Sequence, residues 1–205
     1  MARVTKDPQI RMAEIVDAAE ALFNARGYQE TQISDIVKAI GVAQGTFYYY
    51  FKSKEDVVEA IVRRKMDRIL AEIEEIIAIK DLEAPRKMSA VVKNAIDGIR
   101  GRRDGLLFEY LFSDQKIHIL DKLGRQAGEQ FGPTLITIIA EGVEQKCFHV
   151  DHPEETMEFV ISIIRVVIDS LYKKDAPERQ TTRLEIAQQL IEAALGAETG
   201  TIDLK

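Results

Sequence analysis

The spacing of the apolar residues is what most constrains this chain. They recur at i, i+3, i+4 and i+7 almost throughout, and no window alternates with period two. Such spacing gathers one apolar stripe on a helix but scatters it over both faces of a strand, so an all-α fold of about nine helices is expected. Ile15, Ala18, Ala19, Leu22 and Phe23 mark the inner face of a first helix, and Gly27 is placed to end it in the left-handed conformation. Thr31 is placed to cap a second helix with Ile33, Ile36, Val37 and Ile40 inward. Gly41 breaks that helix, and a very short one runs from about Ala43 to Phe51.

Ser53 and Asp56 form a capping-box pattern that opens a long amphipathic helix through Val57, Ile61, Ile69, Ile73 and Ile77. Pro85 starts the next helix, which continues to about Arg100. Helical spacing resumes from Leu106 to Phe112 and from Ile117 to about Glu144. Asp151-His152-Pro153 and Asp175-Ala176-Pro177 open helices of roughly 154–173 and 178–195, the last closed by Gly196.

Composition sets the class. Among 205 residues, 46% are hydrophobic, enough for a substantial core. The single cysteine, Cys147, excludes an intramolecular disulfide and fits a reducing compartment. The first twenty residues hold no long apolar run of the secretory type, and no stretch of eighteen uncharged apolar residues occurs. A cytoplasmic protein without a membrane partner is expected. The net charge of −6 argues against nucleic acid until it is read locally. Residues 1–56 are nearly balanced, and between Val42 and Lys54 there are two lysines and no acid.

Residues 31–56, TQISDIVKAIGVAQGTFYYYFKSKED, carry the functional signal. Two short helices joined by a tight glycine-containing turn are a helix-turn-helix, whose second helix enters the major groove of DNA. At about 100° per residue, Ala43, Phe47, Tyr50 and Phe51 fall on one arc of that helix, whereas Gly45, Thr46, Tyr48, Tyr49 and Lys52 fall on or beside the opposite arc. The first arc suits a core. The second suits DNA: Gly45 permits close backbone approach, Gln44 and Thr46 can read base edges, and the Tyr48 and Tyr49 hydroxyls can reach phosphates. Lys54, beside the positive end of the long helix, adds a phosphate cation, and Thr31 can touch a phosphate as it caps. For Tyr48 and Tyr49 the residues alone leave a packed aromatic cluster equally open.

The run from Gly41 to Asp56 closely resembles the signature of the TetR family of bacterial regulators, as does the upstream pattern Ile15-Val16-Asp17-Ala18-Ala19, Leu22-Phe23, Gly27-Tyr28, Thr31 and Ile36. The resemblance covers roughly residues 8–68; beyond it, only size and helix pattern agree. It implies an N-terminal three-helix DNA-binding domain (1–52) and a C-terminal helical effector-binding and dimerisation domain (53–205). It also implies a homodimer that binds a palindromic operator in the major groove of double-stranded DNA and is released by a small-molecule effector. The family's DNA-contacting positions fall on Ala43, Gln44, Gly45, Thr46, Tyr48, Tyr49 and Lys54, with Thr31 as the capping contact. Tyr50 stands where members often carry histidine, which puts its own phosphate contact in doubt. Activation rather than repression, or a helical adaptor working through protein contacts, are the alternatives.

In the C-terminal body the resemblance implies that the last two helices pair with their symmetry mates. Met157, Ile161, Ile164 and Ile168, with Leu184, Leu190 and Ile191, supply apolar stripes compatible with that interface. Candidate effector-pocket residues are Phe108, Tyr110, Phe112, Phe131 and Tyr172, with Arg165 as a candidate anchor for an anionic ligand, although Asp169 four residues on can simply pair with it. Arg100, Arg102 and Arg103 could neutralise an acidic ligand or a phosphate, but read more readily as a solvated helix end. Cys147, His149, Asp151 and His152 bring three ligand types together, but Asp151 starts a helix and only lone His118 lies elsewhere, so no metal is expected. No phosphate-binding loop, nucleophile elbow or triad is present, so neither an enzyme nor a cofactor is expected.

Overall fold

Local chemistry starts most of the helices. In the computed structural model, which describes residues 7–100, 117–172 and 176–204, helix α1 (Pro8–Arg26) begins where the Asp7 carboxylate accepts the Gln9 N–H at 2.7 Å. Pro8 sits in the first turn, where its missing N–H costs nothing. Helix α2 spans Ile33–Ala39 and α3 spans Gln44–Tyr50. Helix α4 (Lys54–Ile77) opens on the expected capping box: the Ser53 hydroxyl accepts the Asp56 N–H at 3.2 Å, and the Asp56 carboxylate accepts the Ser53 and Lys52 N–H groups at 3.2 and 2.7 Å. Helix α5 (Ala84–Arg100), α6 (Ile117–Glu144), α7 (Pro153–Tyr172) and α8 (Pro177–Ala194) complete the described chain, α7 and α8 each with proline first. These are eight helices and no strand among the described residues. The expected helical segment at 106–112 lies outside them.

Two details of the second helix and its approach differ from expectation. Gly27 has φ +88°, but its ψ of 157° is far from the left-handed helix; it occupies an extended region open essentially to glycine alone. Thr31 is not the cap of α2. Gln32 precedes the helix, and the Asp35 carboxylate accepts the Gln32 N–H at 2.9 Å.

The described chain divides into two compact units, residues 7–66 with 117–123, and 67–100 with 124–172 and 176–204. The first unit closes on Ile15, Phe23, Ile36, Phe47, Phe51, Val58 and Ile61, which come from α1 to α4 and the turn after α3. Phe47 is fully buried there, and Phe47→Ala in such a site costs about 3–5 kcal/mol. Arg64 and Lys65 of α4 bind Asp17 and Glu20 of α1, with Arg64 Nη2 2.7 Å from Glu20. Burial pushes the Glu20 carboxyl up, but its bonds to Lys65 and Arg64 outweigh this and hold it below the usual glutamate value.

The second unit is built around Met88, Val91, Leu135, Ile138, Val160, Val167, Leu184 and Ile191, with α7 and α8 side by side. Lys87 is buried against Glu141 at 2.7 Å, joining α5 to α6. Among the described residues no helix is long and apolar enough to cross a membrane.

Candidate nucleic-acid interface

Between α2 and α3 the turn is made by Gly41, whose φ of +67° only glycine adopts without strain, and by the Val42 N–H donating to the Val37 carbonyl at 3.0 Å. This presents α3 with one face in the core and the other in water. Phe47 and Phe51 are buried, with ring centroids 5.9 Å apart. Tyr49 is 77% exposed and Tyr48 53% exposed. Tyr50 is half-buried, its ring edge-on to Tyr49 at 4.8 Å.

Periodicity puts Ala43 on the core arc, yet it lies exposed ahead of the helix in extended conformation (φ −75°, ψ 150°). Gln44 is exposed and Thr46 half-buried. Gly45 is exposed, and a Cβ added there meets nothing within 4 Å. Nothing in the fold of the unit therefore requires a glycine at this position.

Two expected DNA-contacting residues turn inward. Thr31 is completely buried, and its hydroxyl donates to the Gly27 carbonyl at 2.8 Å and the Leu22 carbonyl at 3.4 Å, closing the end of α1 rather than reaching a phosphate. Lys54 bends back: its ammonium donates to the carbonyls of Tyr28 at 2.8 Å and Thr31 at 2.6 Å and lies 4.4 Å from the centre of the Tyr28 ring. Burial lowers its pKa from the ordinary lysine value, against the opposing pull of Glu30. The exposed cations of this region are Lys38 on α2 and Lys52 after α3.

In the second unit the expected interface residues are mostly committed to their own chain. Ile164, Leu184 and Ile191 are buried in its core, and half-buried Ile168 packs against it. Met157 lies over Gly132 of α6, 3.3 Å from where a Cβ would stand, and Ile161 lies over Gly128. Leu190 is exposed, and Met157, Ile161 and Ile168 keep part of their surface open. The apolar side chains left exposed on α7 and α8 are Phe159 (69%), Val166, Ile186 and Leu190. Their signal on α7 is a second stripe, Phe159, Ile163 and Val166 at i, i+4 and i+7, in a helix that is apolar on two sides.

Arg165 is exposed, as is Asp169 one turn on, so Arg165 does not reach into the unit as an anchor. Phe131 is buried in the core. Phe108, Tyr110, Phe112, Arg102 and Arg103 lie outside the described residues, as do the side chains of Arg100, His118 and Tyr172. A cavity of about 300 Å³ does open in this unit, lined by Leu70, Ile73 and Glu74 of α4 and by Gln130 and Thr134 of α6. Periodicity points to Ile73 only as a core residue and gives no sign of the other four.

Burial pushes the Cys147 thiol up, and its Sγ donates to the Gly142 carbonyl at 3.3 Å. The His149 ring bonds the Gly196 carbonyl at 3.0 Å, and His152 is exposed. Among the described residues no three His, Cys, Asp or Glu side chains are grouped to hold a metal.

Residues 15–61 match the family described as bacterial regulatory proteins, tetR family. The fatty acid metabolism regulator protein of Bacillus subtilis (strain 168) is 34% identical over 96 residues, 47% of this chain and 49% of that protein, so the chain matches only about half the length of that relative. The HTH-type transcriptional repressor KstR2 of Rhodococcus jostii (strain RHA1) is 26% identical over 146 residues, 69% of each chain. The crystal structure of a TetR/AcrR-family transcriptional regulator from Thermobifida fusca superposes with a TM-score of 0.67 at 25% identity, covering 91% of this chain and 97% of that one.

Proposed function

We propose, for a chain that belongs to the TetR family of bacterial regulatory proteins, that it works as a homodimeric repressor whose hold on operator DNA is released by a small molecule. The observation that carries this reading is the outward arc of α3: an open glycine in the first turn, with Gln44, Tyr48 and Tyr49 all exposed on the same short helix. A helix docked in the major groove uses such an arc fully. Gly45 admits the DNA backbone, Gln44 and Thr46 meet base edges, and the two phenols donate to phosphates. With Lys54 turned inward, Lys38 and Lys52 are the cations assigned to the phosphates.

One such arc grips a half-site; two, held about one helical turn apart (roughly 34–36 Å), grip a palindrome. The second copy docks on the exposed face of Phe159, Val166, Ile186 and Leu190. The effector enters the cavity lined by Leu70, Ile73, Glu74, Gln130 and Thr134, where two apolar side chains beside two hydrogen-bonding ones and a carboxylate suit an amphipathic molecule. Fatty acids are the first class to test, because one relative is named for fatty acid metabolism. A coupling of about 1–3 kcal/mol between the sites suffices for release. Binding, not catalysis, is then the whole activity, exercised in the cytoplasm where the operator lies.

The experiment is binding of the purified protein to DNA from upstream of its own gene, and to DNA selected from a random pool, across a salt series. Tight binding that weakens steeply with salt is expected. Failure to enrich any sequence from the pool at low salt would sink the repressor reading and favour an adaptor that works through protein contacts.

A further inference from the structure

The second unit contains a feature that DNA binding and effector binding do not use. After α8 the chain turns at Gly196, where φ is +56° and any Cβ would stand 2.7 Å from the His149 carbonyl oxygen. The following segment then returns to the core, where Ile202 and Leu204 are buried. Its clasp is Glu192, in the last turn of α8, which is only 3% exposed. One carboxylate oxygen of Glu192 accepts the N–H groups of Gly200 at 2.9 Å and Ile202 at 3.0 Å, together with the Gln188 amide at 3.4 Å. Further along, the Asp203 N–H donates to the buried Ser89 hydroxyl of α5 at 3.0 Å, and the Asp203 carboxylate lies 3.8 Å from Lys93.

We propose that residues 197–204 form a strap that holds α8 from its inner side and keeps its outer side in register for a second copy of the chain. This rests on the dimer face assigned above. A carboxylate stripped of its donors cannot stay buried, so Glu192 remains inside only while the strap is docked. At 100° per residue, Glu192 points about 200° away from Leu190 on the same helix. Any roll or unwinding of α8 that brings Glu192 to water therefore moves Leu190 and Ile186 off the exposed face. Strap docking and dimerisation are thus one coupled equilibrium, and since a palindrome needs two half-site readers, the strap bears on DNA binding through the dimer.

The test combines sedimentation equilibrium with amide exchange on the full chain, Glu192→Ala, Glu192→Gln, Ser89→Ala and a deletion of 198–205. The amides of Gly200 and Ile202 should be protected in the wild type and lose protection in Glu192→Ala. The same variant and the deletion should dimerise at least about tenfold more weakly while keeping their helical circular dichroism. Glu192→Gln, which retains an acceptor oxygen, should recover most of the affinity. If Glu192→Ala loses its helix signal, Ser89→Ala decides, with deprotection of the Asp203 amide and a several-fold weaker dimer expected. A variant whose strap amides are deprotected but whose dimer is as tight as wild type overturns the proposal. A wild type that stays monomeric at every concentration overturns instead the dimer reading on which it rests.

Discussion

Replacing Gly45 with glutamate should pull folding and DNA recognition in opposite directions. Gly45 is in the first turn of α3, its φ does not require glycine, and a Cβ there has open space on every side. A side chain therefore gains helix propensity, up to about 1 kcal/mol over glycine. A glutamate near the helix N-terminus adds about 0.3–1 kcal/mol from the helix dipole. The melting temperature of Gly45→Glu should rise by a few degrees. On DNA the same carboxylate is forced toward a phosphate. Two unit charges about 5 Å apart, at an effective dielectric of about 20, repel by about 3 kcal/mol, a loss of roughly a hundredfold per half-site. Gly45→Ala adds bulk without charge and should fall between. Thermal melts and fluorescence anisotropy with operator DNA read the two effects independently. Undiminished affinity in Gly45→Glu would refute the docking of α3, and a lowered melting temperature would refute the claim that the fold has no need of this glycine.

Other perturbations address the first unit. Thr31→Val keeps the shape but leaves the Gly27 and Leu22 carbonyls without a side-chain donor, and should cost about 1 kcal/mol in denaturant melts with the salt slope of DNA binding intact. Lys54→Met should likewise destabilise, by roughly 1–2 kcal/mol, because the Tyr28 and Thr31 carbonyls lose a charged donor. Its effect on the slope of log K against log salt should be small, whereas Lys52→Ala should reduce that slope by about 0.9 per subunit; equal slopes for the two variants would contradict the inward assignment of Lys54. Glu20 has a folded-state pKa held below its unfolded value. The stabilisation it contributes is therefore complete above the ordinary glutamate pKa and is lost as pH falls through the lowered folded value. The stability difference between wild type and Glu20→Gln should be constant near neutral pH and shrink only in acid, and a difference that changes between pH 6 and 8 would show that the Arg64–Lys65 contacts act in some other way.

Features that depend on near neighbours along the chain are legible in the residues alone. The starts of α4, α7 and α8 follow from prolines and acids within a few residues. On α3 the division of Phe47 and Phe51 from Tyr48 and Tyr49 follows from helix geometry. Thr31 and Lys54 depart from expectation for the complementary reason. The carbonyl bonded by Thr31 at Leu22 is nine residues away, and those held by Lys54 are 23 and 26 residues away. A hydroxyl and an ammonium beside a recognition helix look identical in sequence whether they face a phosphate or a carbonyl of their own chain.

The last helices make the same point. A stripe of apolar residues declares that a face is buried, not against what. On α7, apolar on two sides, Ile164 went to the chain's own core while Phe159 and Val166 remained outside. On α8 the polar residue Glu192 was drawn inside because a distant turn supplied its donors. Periodicity and short-range capping dictate the helical class, most helix boundaries and the reading face of α3, so the order of residues suffices for these. Long-range packing settles which polar groups are occupied by the fold, which of two apolar faces stays open and where a cavity forms. Those outcomes depend on atoms far apart in the chain meeting within hydrogen-bonding or van der Waals distance, and no local pattern records that meeting.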